Sequence, residues 1–298
     1  MNRYAVPTLL LLIFVLTASC ASKQRRLIWR PEGTSVEIYK KDPDLQMLSF
    51  PFHGRRAIGA VIFIHGGNWS VPGADLPFFE DWSERLTGTP LRIFSIEHRT
   101  APDHRGMGPI EDCIAAIEYI RKNSARFGVP DDRIALVGFS SGGHVAMMAA
   151  SLLTERSSRN PVRSVVAFYS PTDLRGLYGA GGDRIKKILD GYIPHLPECR
   201  VTNSAECEES RGALLDSLSP IHHLHKRNPG LLLIHGTEDS LVPFEQSESL
   251  SRRAAESGFG NVLLYPVERA DHHFDANRGR AGQEAREKAI RFILESMR

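Results

Sequence analysis

An α/β architecture, a mostly parallel sheet covered by helices on both faces, is predicted by two features of the chain: strand-length apolar runs, and helix-length amphipathic segments that alternate with them. The runs at residues 60–64, 91–96, 133–137, 164–168, 231–234 and 262–265 are short, unbroken and rich in β-formers, as strands buried on both faces are. Between them, residues 110–127, 142–154, 244–257 and 282–297 repeat apolar side chains every three or four positions, the stripe by which a helix covers a sheet. Residues 34–39 and 45–51 precede this alternation and are expected as an antiparallel edge.

Residues 174–225 break the pattern with glycines, prolines, two cysteines and a Cys-Glu-Glu acidic patch. They are expected as a loop-rich cap over the sheet's C-terminal edge, inserted in a domain spanning residues 34–298. Hydrophobic residues make up 42% and charged residues 24%, and the formal net charge is +2, so the composition is globular and carries no basic field for nucleic acid.

The amino terminus reads as an export signal. Arg3 precedes the apolar stretch Leu9-Leu-Leu-Leu-Ile-Phe-Val-Leu16, which gives way to small residues and Cys20. The stretch is shorter than the roughly 20 residues a membrane-spanning helix needs. Residues 1–19 are therefore expected to be removed, and residues 20–33, with the basic run Lys23-Gln-Arg-Arg26, to form a solvated tether. In an exported protein disulfides persist, so Cys199 and Cys207, within one short stretch, are candidates to close a loop. Cys113 falls inside a helical apolar run and reads as a buried, inert thiol.

Gly138-Phe-Ser-Ser-Gly142 joins the strand at 133–137 to the helix at 142–154. A sharp strand-to-helix turn needs small flanking residues and projects its central side chain above the sheet, which makes Ser140 the candidate nucleophile. The helix start behind it supplies free N–H groups and partial positive charge, so the Ser141 N–H is a candidate donor to a developing oxyanion. After the strand at 60–64 comes His65-Gly-Gly-Asn-Trp69, where glycines let main-chain N–H groups approach a ligand. The strand at 231–234 runs into a turn-rich loop holding Glu238 and Asp239, and the strand at 262–265 is followed by His272 and His273. The order serine, acid, histidine is that of an α/β-hydrolase triad. His222, His223 and His225 adjoin a Ser-Pro-Ile segment without a convincing carboxylate or cysteine partner and read as solvated loop, not a metal site.

Together, His65-Gly-Gly-Asn-Trp, Glu97-His-Arg-Thr-Ala-Pro102, Gly138-Phe-Ser-Ser-Gly-Gly-His144 and His235-Gly-Thr-Glu-Asp-Ser-Leu-Val-Pro243 resemble the carboxylesterase and acetylesterase branch of the α/β hydrolases. Gly-Phe-Ser-x-Gly-Gly-His also resembles secreted esterases that deacylate plant polysaccharides. The resemblance implies oxyanion donors at the Gly67 and Asn68 amides, with Asn68 at the position of a family glycine, and a structural role for His65. It selects Asp239 as the acid, from His-Gly-x-x-Asp-x-x-Val-Pro, and His272 as the base, from Gly-His-Gly-Phe. It further implies a serine esterase that forms an acyl-enzyme on a small-molecule or carbohydrate ester, with neither metal nor organic cofactor. Amide hydrolysis is the second expectation, and a non-catalytic binding protein the third. Leu16-Thr-Ala-Ser-Cys20 resembles the bacterial lipobox, with Thr17 where leucine is usual, and implies lipid attachment at Cys20 and hence membrane association.

Overall fold

A computed structural model of the chain describes residues 32–73, 82, 85–86, 88–157, 160–199, 204–276 and 279–298. The expected export signal, Cys20 and most of the tether lie outside the described residues. Among the described residues the sheet has eight strands in the order β1-β2-β4-β3-β5-β6-β7-β8. They are β1 Ser35–Lys40, β2 Leu45–Ser49, β3 Gly59–Ile64, β4 Leu91–Ile96, β5 Ile134–Phe139, β6 Val162–Phe168, β7 Gly230–Gly236 and β8 Val262–Val267. All neighbours from β4 to β8 run parallel, while β2 pairs antiparallel with β4 and β1 with β2, the edge the sequence predicts.

Strand periodicity divides the core. Ile62 and Ile64 face one layer and Val61 and Phe63 the other, all fully buried. On the first side pack α1 Met107–Lys122, α3 Ser141–Arg156 and α7 Glu245–Glu256, through Ile117, Val145 and Leu250. On the second packs α8 Arg280–Ser296, through Ala285, Ala289 and Ile293. Each fully buried aliphatic or aromatic side chain contributes about 1.5–3 kcal/mol of transfer free energy. The sheet is thus closed to solvent in its centre, and chemistry is confined to the loops at its ends.

Two expectations are corrected. The helix predicted over 110–127 is broken at Asn123, whose Nδ2 donates to Tyr119 O at 2.8 Å; a short turn, α2 Ser124–Phe127, follows and is closed by Gly128 at φ 66°. Residues 174–225 are largely helical and not loop-rich: α4 Leu174–Ala180, α5 Asp183–Tyr192 and α6 Ala205–Ser217. Asp173 caps α4, accepting from Gly176 N, and Ser204 caps α6, accepting from Cys207 N. Ile185, Ile188, Leu189 and Tyr192 lie on one face of α5 and join the first apolar layer. Cys199 and Cys207 form a disulfide, and Cys113 is buried, with desolvation pushing its thiol pKa far up. Among the described residues no helix is long and apolar enough to cross a membrane.

Candidate active site

Ser140 sits where β5 turns into α3, with φ 51° and ψ −124°, a conformation that a serine adopts only when its surroundings impose it. Here they do so by close packing: a Cβ on Gly142 would lie 2.3 Å from Ile64 O, and one on Gly66 would lie 2.6 Å from Phe139 O. The turn can therefore form only against a glycine backbone, and it leaves Ser140 just 4% exposed at the carboxyl end of the sheet.

The structure brings Ser140, His272 and Asp239 together. His272 Nδ1 donates to Asp239 Oδ2 at 2.7 Å, so its Nε2 lone pair faces Ser140 Oγ, 3.1 Å away. Asp239 Oδ1 accepts from the amides of Leu241 and Val242 at 2.9 and 2.8 Å, which leaves Oδ2 for the imidazole. Burial raises the Asp239 pKa, but hydrogen bonds from His235 and His272 outweigh it and hold the carboxyl well below the usual range. His235, not singled out as a functional residue by its sequence, orients this acid: its Nε2 lies 3.3 Å from Asp239 Oδ2 and donates to Val242 O, while Nδ1 accepts from Ser247 Oγ at 2.7 Å. Glu238 is exposed. The bonds to Asp239 and Ser140 belong to His272; the ring of His273 meets that of His272 edge-on, centroids 4.3 Å apart.

Asp271, also missed in the sequence, knits the acid and base loops. Its Oδ1 accepts from Ser240 N at 2.8 Å and from His272 N at 2.7 Å, and these bonds draw its pKa down. Behind the imidazole, the Tyr169 ring lies 4.6 Å from His272 and its hydroxyl donates to the buried Asp275 at 2.6 Å.

The loop after β3 turns through consecutive positive φ values at Gly67 (117°), Asn68 (55°) and Trp69 (57°). Asn68 occupies the left-handed region that asparagine tolerates, so its departure from the glycine pattern fits the backbone. Among the described residues the amides of Gly67, Asn68 and Ser141 donate to no protein group, which leaves them available to an oxyanion. The loop is held from several sides: Trp69 N donates to Ser141 Oγ at 3.2 Å, Ala101 N donates to Trp69 O at 2.8 Å, and Trp69 Nε1 donates to His144 Nδ1 at 3.2 Å.

His65 plays the structural part expected of it, donating from Nδ1 to Gly66 O at 2.8 Å and stacking on His98 at 4.1 Å. Burial, then the neighbouring imidazole, drives its pKa far down, which keeps it neutral. The motif Glu97–Pro102 braces this loop through the His98 stack and the Ala101 N bond to Trp69 O, and is itself anchored by Arg99 Nε on the buried Asp112 at 2.9 Å. The histidine cluster lies at the surface, as the solvated-loop reading has it, but it does have carboxylate partners that the sequence did not reveal. Glu155, distant in sequence, accepts from His223 at 3.0 Å and His225 at 2.9 Å, and His222 lies 3.5 Å from Asp216. Among the described residues no group of three metal-ligating side chains converges.

Comparison with known proteins places this geometry. The chain is 26% identical over 229 residues to the esterase LipQ of Mycobacterium tuberculosis, an alignment covering 74% of this chain but only 51% of LipQ. It is 25% identical over 209 residues to a kynurenine formamidase of Meyerozyma guilliermondii, covering 70% of this chain and 76% of that protein. The butyrate-bound structure of the esterase Est2 of Thermogutta terrifontis superposes with a TM-score of 0.67 at 25% identity, covering 89% of this chain and 94% of that one. The sheet order and these neighbours establish an α/β-hydrolase fold. A family model described as BD-FAE matches residues 48–254, from β2 through most of α7 and including Ser140 and Asp239, and the chain accordingly belongs to the BD-FAE family.

Proposed function

We propose that the protein is a serine hydrolase that cleaves short-chain carboxylic esters through an acyl-enzyme. The observation that carries this reading is the unbroken chain from Ser140 Oγ through His272 to Asp239, at 3.1 and 2.7 Å. His272 Nε2 takes the hydroxyl proton as Ser140 Oγ bonds to the ester carbonyl carbon. The carbonyl π electrons move onto oxygen, where the Gly67, Asn68 and Ser141 amides stabilise them, each such donor supplying about 3 kcal/mol. Collapse expels the alcohol, which receives the proton from His272. Water then repeats the sequence on the acyl-enzyme. Asp239 keeps the imidazole in the productive tautomer throughout.

Hydrolysis of p-nitrophenyl acetate and butyrate, beside Ser140→Ala prepared identically, tests this directly. Activity should fall by about a million-fold in the variant. A variant that keeps most of the parent's activity would refute the assignment.

Likeness to a kynurenine formamidase favours a second reading, cleavage of an amide by the same groups. Paired ester and N-formyl amide substrates separate the two. Carbohydrate acetyl esters are proposed natural substrates, supported by the resemblance of Gly138–His144 to polysaccharide-deacylating esterases. Export and lipid attachment at Cys20 are likewise proposed, on the sequence pattern of residues 9–20; radiolabelled palmitate incorporation that survives Cys20→Ala would overturn the lipid assignment.

A further inference from the structure

Beside the oxyanion loop lies an open pocket of about 420 Å³, bounded by Asn68 and Ser70 of that loop, by Ala101 and Pro102, and by α5. Its walls are fixed. Ala101 N bonds Trp69 O; Arg105 donates to Pro102 O at 3.1 Å and to Asp190 O at 2.8 Å, tying the Pro102 wall to the helix. Tyr192, at the end of α5, donates to Gly106 O at 2.8 Å and stacks on Trp69. The helix presents Arg184, Lys187, Ile188 and Gly191 to the pocket, which is one stripe at i, i+3, i+4 and i+7. Leu189 and Tyr192 occupy the buried face. Asp183 and Asp190 fall on the adjoining stripe, and Asp190 lies 3.9 Å from Arg211. Among the described residues no lining side chain is acidic. Arg184 and Lys187 are exposed and hold no ion pair among the described residues.

We propose that this pocket selects esters that carry a carboxylate, with Arg184 and Lys187 binding the anion while Asn68, shared by pocket and oxyanion loop, aligns the reacting carbonyl. The inference deepens the ester-hydrolase reading and rests on it. Two unpaired cations on one side of a concave surface raise the local concentration of an anionic substrate and bind it through solvent-exposed contacts, each modest and weakened by salt.

Two substrate pairs test it: 4-nitrophenyl hydrogen succinate against 4-nitrophenyl butyrate, with the charge on the acyl side, and 4-acetoxybenzoate against its methyl ester, with the charge on the alcohol side. In at least one pair the ratio of kcat/KM for the anionic over the neutral ester should fall about tenfold in Arg184→Glu/Lys187→Glu. The fall should lie mainly in KM, and the parent's preference should shrink in 0.5 M salt. Ratios that are the same in parent and variant for both pairs overturn the proposal. Should the parent hydrolyse neither pair, calorimetric titration of the Ser140→Ala protein with 4-acetoxybenzoate and monomethyl succinate decides separately. Binding weakened by the charge reversal upholds the anion pocket and removes the ester reading, whereas binding absent or insensitive to the reversal overturns the pocket.

Discussion

The indole of Trp69 lies flat against the ring of Tyr192, centroids 4.3 Å apart and planes 15° from parallel, so the last residue of the oxyanion loop is clamped by the last turn of a helix more than a hundred positions away. Trp69 has φ 57°, where a bulky residue is strained, and the stack helps to hold it there. Tyr192→Ala empties a fully buried site and should cost about 3–5 kcal/mol. Tyr192→Phe keeps the stack, leaves Gly106 O with one bond fewer, and should cost about 1 kcal/mol. Urea unfolding measures both. The alanine variant should also lose kcat, because Asn68 is carried on the same turn; equal kcat in the two variants would show that the clamp does not position the loop.

The catalytic assignment makes a prediction that distinguishes adjacent residues. Asp239→Asn keeps the size of the side chain but no longer stabilises the Nδ1–H tautomer, and should lower kcat by about 10⁴. Glu238→Gln, at an exposed side chain, should leave kcat within about twofold of the parent. His272→Ala should be as damaging as Ser140→Ala, since residues of one relay are not additive. A severe loss in His273→Ala with activity retained in His272→Ala would reverse the assignment of the base.

Much of this was legible before any coordinates. The strand and helix periods carry the sheet and its covering layers, since burial on two faces demands unbroken apolar runs such as Val61–Ile64. The elbow was legible because glycine is the residue that the close packing at 138 and 142 admits. The relations that escaped join residues far apart in sequence: Glu155 with His223 and His225, Asp271 with Ser240, Tyr169 with Asp275. Each is a polar pair between separate loops or helices, and no local period encodes it. The helices at 174–217 escaped for a different reason. Glycines at 176, 179, 181, 182 and 191 argue against helix, yet Asp173 and Ser204 stand at caps and Ile185, Ile188, Leu189 and Tyr192 keep helical spacing. That apolar stripe was the signal, and the burial of one face outweighs the glycine cost of about 1 kcal/mol each.

The disulfide between Cys199 and Cys207 closes a short loop that leads into α6. Removing such a crosslink frees the unfolded chain by about 2–3 kcal/mol of closure entropy. Cys199→Ser/Cys207→Ser should therefore lower the midpoint of thermal unfolding, and denatured parent protein should gain two titratable thiols on reduction. A thiol count that does not change on reduction would show that the bond is absent from the protein in solution.

Two buried groups give the stability opposite pH dependences in one window. His144 is fully buried between Trp69 Nε1 and Leu218 O, and burial pushes its pKa down to about 4, outweighing the bond to the carbonyl. The unfolded chain binds a proton near pH 6.5 that the folded chain refuses until about 4, so stability is lost as pH falls between these values, by about 3 kcal/mol in all. Asp275 is raised to about 6 by burial, against the lowering effect of the Tyr169 hydroxyl and Arg286. Its contribution is present below the unfolded value near 3.8 and is lost as pH rises through 6, again by about 3 kcal/mol. His144→Gln preserves an acceptor for Trp69 and a donor for Leu218 but does not titrate, so its urea midpoint should fall less than the parent's on going from pH 6.5 to 4.5. Asp275→Asn still accepts from Tyr169 and removes the opposing contribution, so its midpoint should fall more. His65 and His98, both depressed by burial, act in the same sense as His144 and set the parent's net acid sensitivity. Parallel pH dependences in the parent and both variants would mean that neither group changes its proton affinity on folding, and the burial argument for both would fail together.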